Sequence, residues 1–319
     1  MKAGFNNSSK VFVLCFGLSL MLSGCSFLAN PKSPQGYVRL CIRIMDKNGL
    51  YSKGEEWDAA KAAALGQAKE ITNLDEAHDI VNEALRICGG KHSTLKPPYK
   101  EARKDFPEEA PKATFRDDSI LYLRLPEHLG VSISDSLYKY TLYNAICRHT
   151  DAMGYIIDLR GNTGGNMYPM LAALSPLIPN GVCISFQQRR RTIPISIEYI
   201  RKSESIPFAG EKEGELHKRP VALLTDSFTA SSGEATLLAF RGLDNTRTFG
   251  CPTAGYASAN VPYSLPDGYT LVLTTSRDVA RTGEIFCDDP ISPDIETDKP
   301  LEEALYWIKS ENQPSDGEE

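Results

Sequence analysis

The spacing of apolar residues near the start of the chain predicts an export segment followed by helices. Residues 11–22 form a mostly apolar run between polar flanks, shorter than the roughly 18 residues that span a membrane as a helix. Between residues 57 and 88, apolar side chains recur at steps of three and four residues, which predicts a small helical unit. Gly89 and Gly90 are expected to end its last helix.

From residue 120 onward the pattern alternates between strands and helices. Strands are predicted at 120–125, 155–159, 182–186 and 221–225, and helices at 137–148, 167–178 and 232–241. This alternation is typical of a largely parallel sheet covered by helices. The chain then becomes β-rich, with strands at 263–265 and 270–275 joined by the turn Pro266-Asp267-Gly268. The predicted fold class is therefore α/β.

These patterns divide the chain into five segments. They are a signal peptide (1–24), a tether (25–36), an N-terminal helical subdomain (37–115), an α/β core (116–308) and an acidic tail expected to be disordered (309–319).

The end of the signal segment predicts a lipid anchor. Leu22-Ser23-Gly24-Cys25 resembles the bacterial lipobox, in which a peptidase cuts before a lipidated cysteine. We therefore expect a mature chain that begins at Cys25 and is lipid-anchored to a bacterial membrane in the cell envelope, facing the periplasm or the exterior. An ordinary secretory signal with a chance cysteine is the alternative.

Charge and cysteine usage narrow the classes of partner. The formal charge is −6, and loss of Lys2 and Lys10 with the signal changes it to −6 − 2 = −8. No basic stripe is visible in the sequence, so no nucleic acid partner is expected. The remaining cysteines stand singly and form no C-x-x-C pair, so neither a metal site nor a cofactor is expected, and no disulfide pairing is predicted.

The segment Thr229-Ala230-Ser231-Ser232-Gly233-Glu234 has two interpretations. Ser231 and Glu234 fit a capping box, in which both side chains bind free amides at a helix start. Alternatively, Ser231 is a nucleophile placed where helix amides favour an anionic oxygen. The motif by itself favours simple capping.

Two other segments could serve a nucleophilic serine. The turn at residues 158–166 (DLRGNTGGN) follows a predicted strand, and Gly164 and Gly165 would let its amides approach a ligand closely, as in an oxyanion hole. A glycine turn needed only for its backbone angles is the alternative. His92 follows the helix stop and is the first candidate for a base, with His128 in reserve.

Together these segments resemble the C-terminal-processing serine peptidase family, which includes tail-specific proteases and the tricorn core. TASSGE is similar to the family's nucleophile segment T-A-S-[AS]-x-E, and DLRGNTGG to its D-L-R-x-N-x-G-G turn. Thr253-Ala254-Gly255, Leu265-Pro266-Asp267-Gly268 and Ile291-Ser292-Pro293-Asp294-Ile295 match three further signatures in family order. The resemblance covers roughly residues 85 to 300 and implies a crotonase/ClpP-like α/β core.

The chain departs from the lysine-using members of that family. Tyr256 stands where those members carry the lysine base, and a neutral phenol is a poor substitute for a desolvated amine. Gly89-Gly90-Lys91-His92-Ser93 instead resembles the G-G-x-H-S segment of a histidine-using branch, which implies His92 as the base. Fewer than 30 residues separate His92 from residue 120, too few for the PDZ module that many members carry.

The resemblance implies an exported serine endopeptidase. Ser231 would attack a peptide carbonyl, His92 would take its proton, and the amides of Ser232 and of Gly164 or Gly165 would hold the oxyanion. Asp288, Asp289 and Glu234 are all candidates to orient His92, with Asp288 preferred; Pro290 replaces a family glycine beside them.

The expected substrate is an extended peptide or an unfolded protein. Two alternatives stay open, a catalytically inactive peptide-binding lipoprotein and a narrow antimicrobial-peptide resistance peptidase.

Overall fold

The computed structural model describes residues 33–98, 109–116, 119–207 and 213–312. The predicted signal peptide, the tether up to residue 32 and the tail from residue 313 lie outside the described residues. Within the described ranges, no helix is both long and apolar enough to cross a membrane.

Three helices form the N-terminal unit: α1 (Pro34–Asn48), α2 (Glu55–Gln67) and α3 (Leu74–Gly89). Ser33 caps α1 by accepting a hydrogen bond from the Gly36 amide at 3.1 Å, so this helix begins inside the segment predicted as tether. α3 ends as predicted, because Gly90 adopts a φ of 70° that favours glycine. The apolar positions of the predicted α3 period are all buried: Ala77, Ile80, Val81, Ala84, Leu85 and Cys88.

The other elements follow in chain order. The strands are β1 (Thr94–Lys96), β2 (Lys112–Arg116), β3 (Ile120–Arg124), β4 (Gly154–Asp158), β5 (Val182–Gln188), β6 (Thr192–Ser196), β7 (Val221–Thr225), β8 (Thr246–Gly250), β9 (Ser258–Ser264), β10 (Thr270–Ala280), β11 (Ile285–Phe286) and β12 (Ile295–Glu296). The helices are α4 (Asp135–Arg148), α5 (Met167–Leu174), α6 (Ile197–Ser203), α7 (Ser232–Phe240) and α8 (Pro300–Glu311).

A six-stranded sheet in the order β12-β8-β7-β4-β3-β2 forms the centre of the core. All of its pairs are parallel except β2 with β3, which confirms the predicted α/β fold class. Successive side chains of β7 point to opposite faces: Val221 and Leu223 pack with α4, α5 and α7, whereas Ala222 and Leu224 pack with α8. The carboxyl ends of β4 and β7 therefore lie side by side at one edge, where the two motif turns begin.

A second sheet is antiparallel and contains β1, β10, β5 and β6, with β9 and β11 also paired to β10. The prediction that the strand at 182–186 belongs to the alternating parallel pattern is wrong. β5 pairs antiparallel with β6 and β10, because only residues 189–191 separate β5 from β6, and a parallel crossover needs a much longer connection.

The helical unit packs on this second sheet. Leu271 and Leu273 of β10 are fully buried among side chains of α1 and α3. His78 of α3 lies 2.7 Å from Asp267 and stacks on Tyr269, so the predicted turn at 266–268 is held by the helical unit. The loop that carries His92 therefore leaves a helix that is fastened to the sheet on which it lies.

At the other end of the chain, α8 continues to Glu311, so residues 309–311, predicted to be part of a disordered tail, are helical. Its apolar residues Ala304 and Ile308 are buried against the parallel sheet.

The end of α1 offers a test of this packing. A Cβ on Gly49 would lie 2.0 Å from Cys88 Sγ and 3.0 Å from the Met45 carbonyl oxygen, at the junction of α1 with α3. We expect Gly49→Ala to lower the free energy of unfolding by about 1–3 kcal/mol, because a packed junction must open. Gly66→Ala, where a Cβ has open space, is the matched control and should leave that free energy unchanged or raise it by up to about 1 kcal/mol. Denaturant titration measures both, and equal effects would contradict the packing.

Candidate active site

Ser231 lies at the start of α7, after the loop that leaves β7. Its backbone has a φ of 52° and a ψ of −114°, a conformation that costs energy at a non-glycine residue. Hydrogen bonds on both sides hold it: the Ala230 amide donates to the Asn162 carbonyl at 2.9 Å and the Ser231 amide donates to Glu234 Oε2 at 2.8 Å. A strained serine at a strand-to-helix turn resembles the nucleophile position of α/β-hydrolases, and Ser231 also forms a capping box with Glu234.

The carboxylate of Glu234 is buried and accepts four hydrogen bonds. Besides Ser231, the donors are the amides of Gly255 at 2.9 Å and Tyr256 at 2.8 Å and the Thr253 hydroxyl at 2.5 Å. Burial raises the pKa of Glu234, and these hydrogen bonds oppose that rise. Glu234 therefore joins the loop that carries Ser231 to the loop after β8, and its oxygens are occupied by donors other than His92.

The glycine turn after β4 lies directly against Ser231. A Cβ on Gly164 would be 2.8 Å from Ser231 Cβ and 3.1 Å from the Ser232 amide nitrogen. A Cβ on Gly165 would be 2.0 Å from the carbonyl oxygen of His128. Both residues have φ near 110°, so glycine is required for close approach as well as for conformation.

Asn162 decides which amide of this turn is available. Its side chain is fully buried, donates to the carbonyls of Leu125 and Pro126, and accepts the Gly164 amide at 2.9 Å. The Gly165 amide donates to no atom of the described residues. Two glycine amides were predicted to hold an oxyanion. The Gly164 amide already donates a hydrogen bond, whereas the Gly165 amide has no acceptor in the described part of the chain and lies near the Ser232 amide in the first turn of α7. The role of Asn162 was not predicted, although it is the asparagine of the DLRGN motif.

Asp158 and Arg160 brace the base of the turn. Arg160 donates to both oxygens of Asp158, at 2.9 and 2.6 Å. Burial would raise the pKa of Asp158, but hydrogen bonds from Arg160 and Tyr122 lower it below its ordinary value. Asp158 is therefore a charged support for the turn.

His92 follows the end of α3 and packs against Tyr256. The two rings meet edge to face with centroids 5.2 Å apart, so His92 lies beside the residue that replaces the family lysine. Its Nδ1 lies 2.9 Å from the Ser258 hydroxyl on β9. Burial lowers the pKa of His92 to about 4 against the opposing charge of Asp288, which leaves the ring neutral and able to accept a proton at neutral pH. Within the described residues, no hydrogen bond joins His92 to Ser231.

The structure gives Nδ1 of His92 a different partner from the preferred Asp288. Asp288 acts on the histidine through its charge only, and its Oδ2 accepts a hydrogen bond from the Tyr51 hydroxyl at 3.2 Å. Asp289 is exposed. Ser258 takes the place beside Nδ1 because β9 runs directly next to the His92 loop, where Asn260 also donates to the His92 carbonyl.

His128, the reserve base, has a structural role. Its ring is fully buried, lies 2.7 Å from Asp135 and packs on Tyr138. Its backbone accepts from the Asn166 amide and donates to the Gly164 carbonyl, which holds the glycine turn in place.

The cysteines predicted to stand singly are free thiols: Cys41, Cys88, Cys147, Cys183, Cys251 and Cys287.

The three motifs that follow Ser231 in the chain, at residues 253–255, 265–268 and 291–295, connect neighbouring loops and strands by hydrogen bonds and close contacts. Thr253 and Ile291 exchange hydrogen bonds, and a Cβ on Gly255 would lie 2.8 Å from the Pro290 nitrogen, so the first and last of these motifs lie against each other. Asp294 accepts from the Thr248 amide at 2.8 Å and fastens the last motif to β8.

A strained serine at a helix start, set against a glycine turn with an open amide, is typical of α/β serine hydrolases. The chain belongs to Peptidase family S41, whose sequence model matches residues 119–297. This confirms the predicted family and supports a peptidase-type role.

Two curated relatives are similar to the chain. The nisin-resistance protein of Lactococcus lactis subsp. lactis is 34% identical over 286 residues, which are 88% of this chain and 89% of that protein. The carboxy-terminal processing protease CtpA of Bacillus subtilis (strain 168) is 27% identical over 251 residues, which cover 75% of this chain but only 50% of that protein.

Solved structures agree with this placement. A lipoprotein from Streptococcus agalactiae has a TM-score of 0.78 and 31% identity, with 88% of this chain and 98% of that chain covered. The photosystem II D1 C-terminal processing protease has a TM-score of 0.59 and 12% identity, with 83% and 93% covered, and shows the shared fold.

The pKa of His92 leads to a prediction about pH. If His92 is the base, kcat/KM should be retained as the pH falls below 6.5 and lost through about pH 4, because the buried ring gives up its proton more readily than an ordinary histidine. A peptide assay across this range measures the profile, with circular dichroism at each pH to separate unfolding from titration. An acid limb centred near pH 6.5 would contradict it.

Two variants distinguish the effects of Ser258 and Asp288 on His92. We expect Ser258→Ala to lower kcat by about tenfold or more with little change in KM, since a loosely held ring loses part of the 10²–10⁴-fold gained from a positioned base. Asp288→Asn should instead move the acid limb to lower pH, because the charge that raises the pKa of His92 is removed. If kcat falls in Asp288→Asn and is unchanged in Ser258→Ala, the aspartate is the group that orients His92.

Proposed function

We propose that this chain is an exported, membrane-anchored serine endopeptidase that cleaves extended peptides or unfolded proteins through Ser231 and His92. The observation that carries the proposal is the placement of Ser231: a positive φ at the start of α7 sets it against Gly164, next to the open amides of Gly165 and Ser232. Such a nucleophile with adjacent donors suits acyl transfer.

His92 is suited to activate the serine. Its lowered pKa keeps the ring neutral, and with Nδ1 directed to Ser258 the lone pair of Nε2 is available to the Ser231 hydroxyl. In the free enzyme the serine and histidine are not hydrogen-bonded, and we expect bound substrate to bring them into contact, since catalytic hydrogen bonds often tighten only in the complex. Tyr256 supports this histidine by ring contact and needs no proton chemistry of its own.

The reaction follows the serine peptidase sequence. Ser231 Oγ attacks the peptide carbonyl carbon as its proton passes to His92, and the amides of Ser232 and Gly165 bind the resulting oxyanion. His92 then gives that proton to the leaving amine as the C–N bond breaks, which leaves an acyl ester on Ser231. Water, deprotonated by His92, cleaves the ester and restores the enzyme.

A narrower substrate is the second candidate. The nisin-resistance protein is similar to this chain over nearly the whole length of both, and its name describes resistance to nisin. A resistance peptidase of this kind would use the same Ser231 and His92 but would accept one class of modified peptide. Anchoring through a lipid on Cys25 would place either activity at the outer surface of a membrane.

Active-site labelling tests the proposal. We expect a fluorophosphonate probe to label the wild-type chain on Ser231 and to fail with Ser231→Ala. Peptide cleavage should fall by at least about a thousandfold in Ser231→Ala and His92→Ala, because serine and base act as a unit. Ser227→Ala is the matched control, since Ser227 is an exposed serine in the same loop, and it should retain labelling and turnover.

The outcomes separate the candidate functions. Cleavage of unstructured proteins supports the general endopeptidase, whereas cleavage of a lanthionine peptide alone supports the resistance peptidase. A wild-type chain that binds peptides but is neither labelled nor active would be the inactive binding lipoprotein, and the endopeptidase proposal would be abandoned.

A further inference from the structure

The solvent side of α1 is basic from Arg39 to Lys47. Arg39, Arg43 and Lys47 follow one another at four-residue steps and are exposed, opposite the buried face of the helix formed by Tyr37, Val38, Cys41, Ile42 and Met45. The acid of this helix, Asp46, accepts from the Trp57 indole at 2.9 Å and pairs with Lys61 of α2 at 2.9 Å, so its charge is already compensated.

The turn between β5 and β6 extends this row of cations. It contains Arg189, Arg190 and Arg191, and the Arg189 guanidinium donates to the Lys47 carbonyl at 2.5 Å, which joins the turn to the end of α1. We call the six residues Arg39, Arg43, Lys47, Arg189, Arg190 and Arg191 the basic ridge. With the described residues, none of the six forms a salt bridge.

The basic ridge stands out against the charge of the whole chain. The formal net charge is −6, yet these six cations come from two segments that are 189 − 47 = 142 residues apart in the chain and are joined by the Arg189 contact to Lys47. Apart from the Arg189 contact to the Lys47 carbonyl and a hydrogen bond of 3.0 Å from Arg191 to Gln188 Oε1, the described residues make little use of their charged ends. A concentrated positive surface of this kind attracts a polyanion.

The position of the basic ridge in the chain indicates which polyanion it would bind. α1 begins at Pro34, which is 34 − 25 = 9 residues after Cys25, so a lipid on Cys25 would hold the helix within about 30 Å of the membrane even with an extended linker. Anionic phospholipid headgroups attract a basic surface by about 1 kcal/mol for each lysine or arginine near the bilayer. The opposite face of α1 packs on α3 and β10, so Arg39, Arg43 and Lys47 lie on the side of this helix away from the antiparallel sheet.

We infer that the basic ridge docks on anionic phospholipid headgroups and sets the orientation of the anchored enzyme on the membrane. The inference uses the proposed lipid anchor on Cys25 to bring the ridge near the bilayer, and it is independent of the proposed peptidase chemistry. Docking in this way holds the helical unit against the lipid and leaves the core exposed to substrates.

Vesicle binding tests the ridge without the anchor. The chain from residue 25 onward, which keeps every described residue, is prepared with Cys25→Ser so that no lipid contributes. Its co-sedimentation is measured with vesicles of phosphatidylcholine alone and of phosphatidylcholine mixed with phosphatidylglycerol, at low and high salt. We expect binding to the mixed vesicles only, with loss at high salt because the charges are screened.

A triple variant and a matched control locate the effect. Arg39→Gln, Arg43→Gln and Lys47→Gln together should weaken binding to the mixed vesicles by at least about tenfold. Arg148→Gln, Lys202→Gln and Lys218→Gln together remove the same charge from other elements and should bind as the unmodified ridge does. Thermal unfolding of both variants, and labelling of Ser231 by fluorophosphonate, should match the wild type.

Two results would overturn the inference: no preference of the wild-type ridge for anionic vesicles, or equal weakening in the two triple variants. Failure of Ser231 labelling together with intact vesicle binding would reject only the peptidase proposal, so the two proposals fail separately.

Discussion

The buried carboxylate of Glu234 is the contact on which the candidate active site depends. It receives the amides of Ser231, Gly255 and Tyr256 and the hydroxyl of Thr253, and hydrogen bonds to a charged acceptor are stronger than those to a neutral one. Without this carboxylate, three backbone donors that are at least partly buried would have no partner, and the positive φ of Ser231 would lose one of the hydrogen bonds that hold it. Glu234 thus completes a helix cap and also holds Ser231 at its positive φ.

The site lies where two sheets with different connections meet. Ser231 and the glycine turn belong to the parallel sheet, whose neighbouring strands β4 and β7 end at one edge. His92 belongs to the helical unit and the antiparallel sheet, through α3 and the contact with Ser258. The packing of α3 on Leu271 and Leu273 therefore determines where His92 lies relative to Ser231.

Asp278 on β10 shows how strongly this boundary constrains charge. Its carboxyl is fully buried, and burial together with the nearby Glu234 raises its pKa well above the ordinary value. Two carboxylates so placed do not both ionise readily, so a neutral Asp278 leaves the charge on Glu234, where four donors stabilise it. The charges of the basic ridge differ from these carboxyls, because Arg39, Arg43, Lys47, Arg190 and Arg191 are exposed to water.

Much of this protein was determined by the sequence alone. Local periodicity predicted the strand at 221–225 with its observed bounds and the helical face of α3, because one face of each element must be buried. The ordered motifs identified the family, since their glycines and polar residues are needed for particular turns. What only the tertiary structure decided depends on residues far apart in the chain. The tertiary structure alone showed that Ser258 is the partner of His92 and that the Gly165 amide has no acceptor within the described ranges. It also showed that β5 is antiparallel to its neighbours and that two basic segments meet. Hydrogen bonds and electrostatic attraction act between neighbours in space, and sequence spacing does not contain those distances until the core has packed.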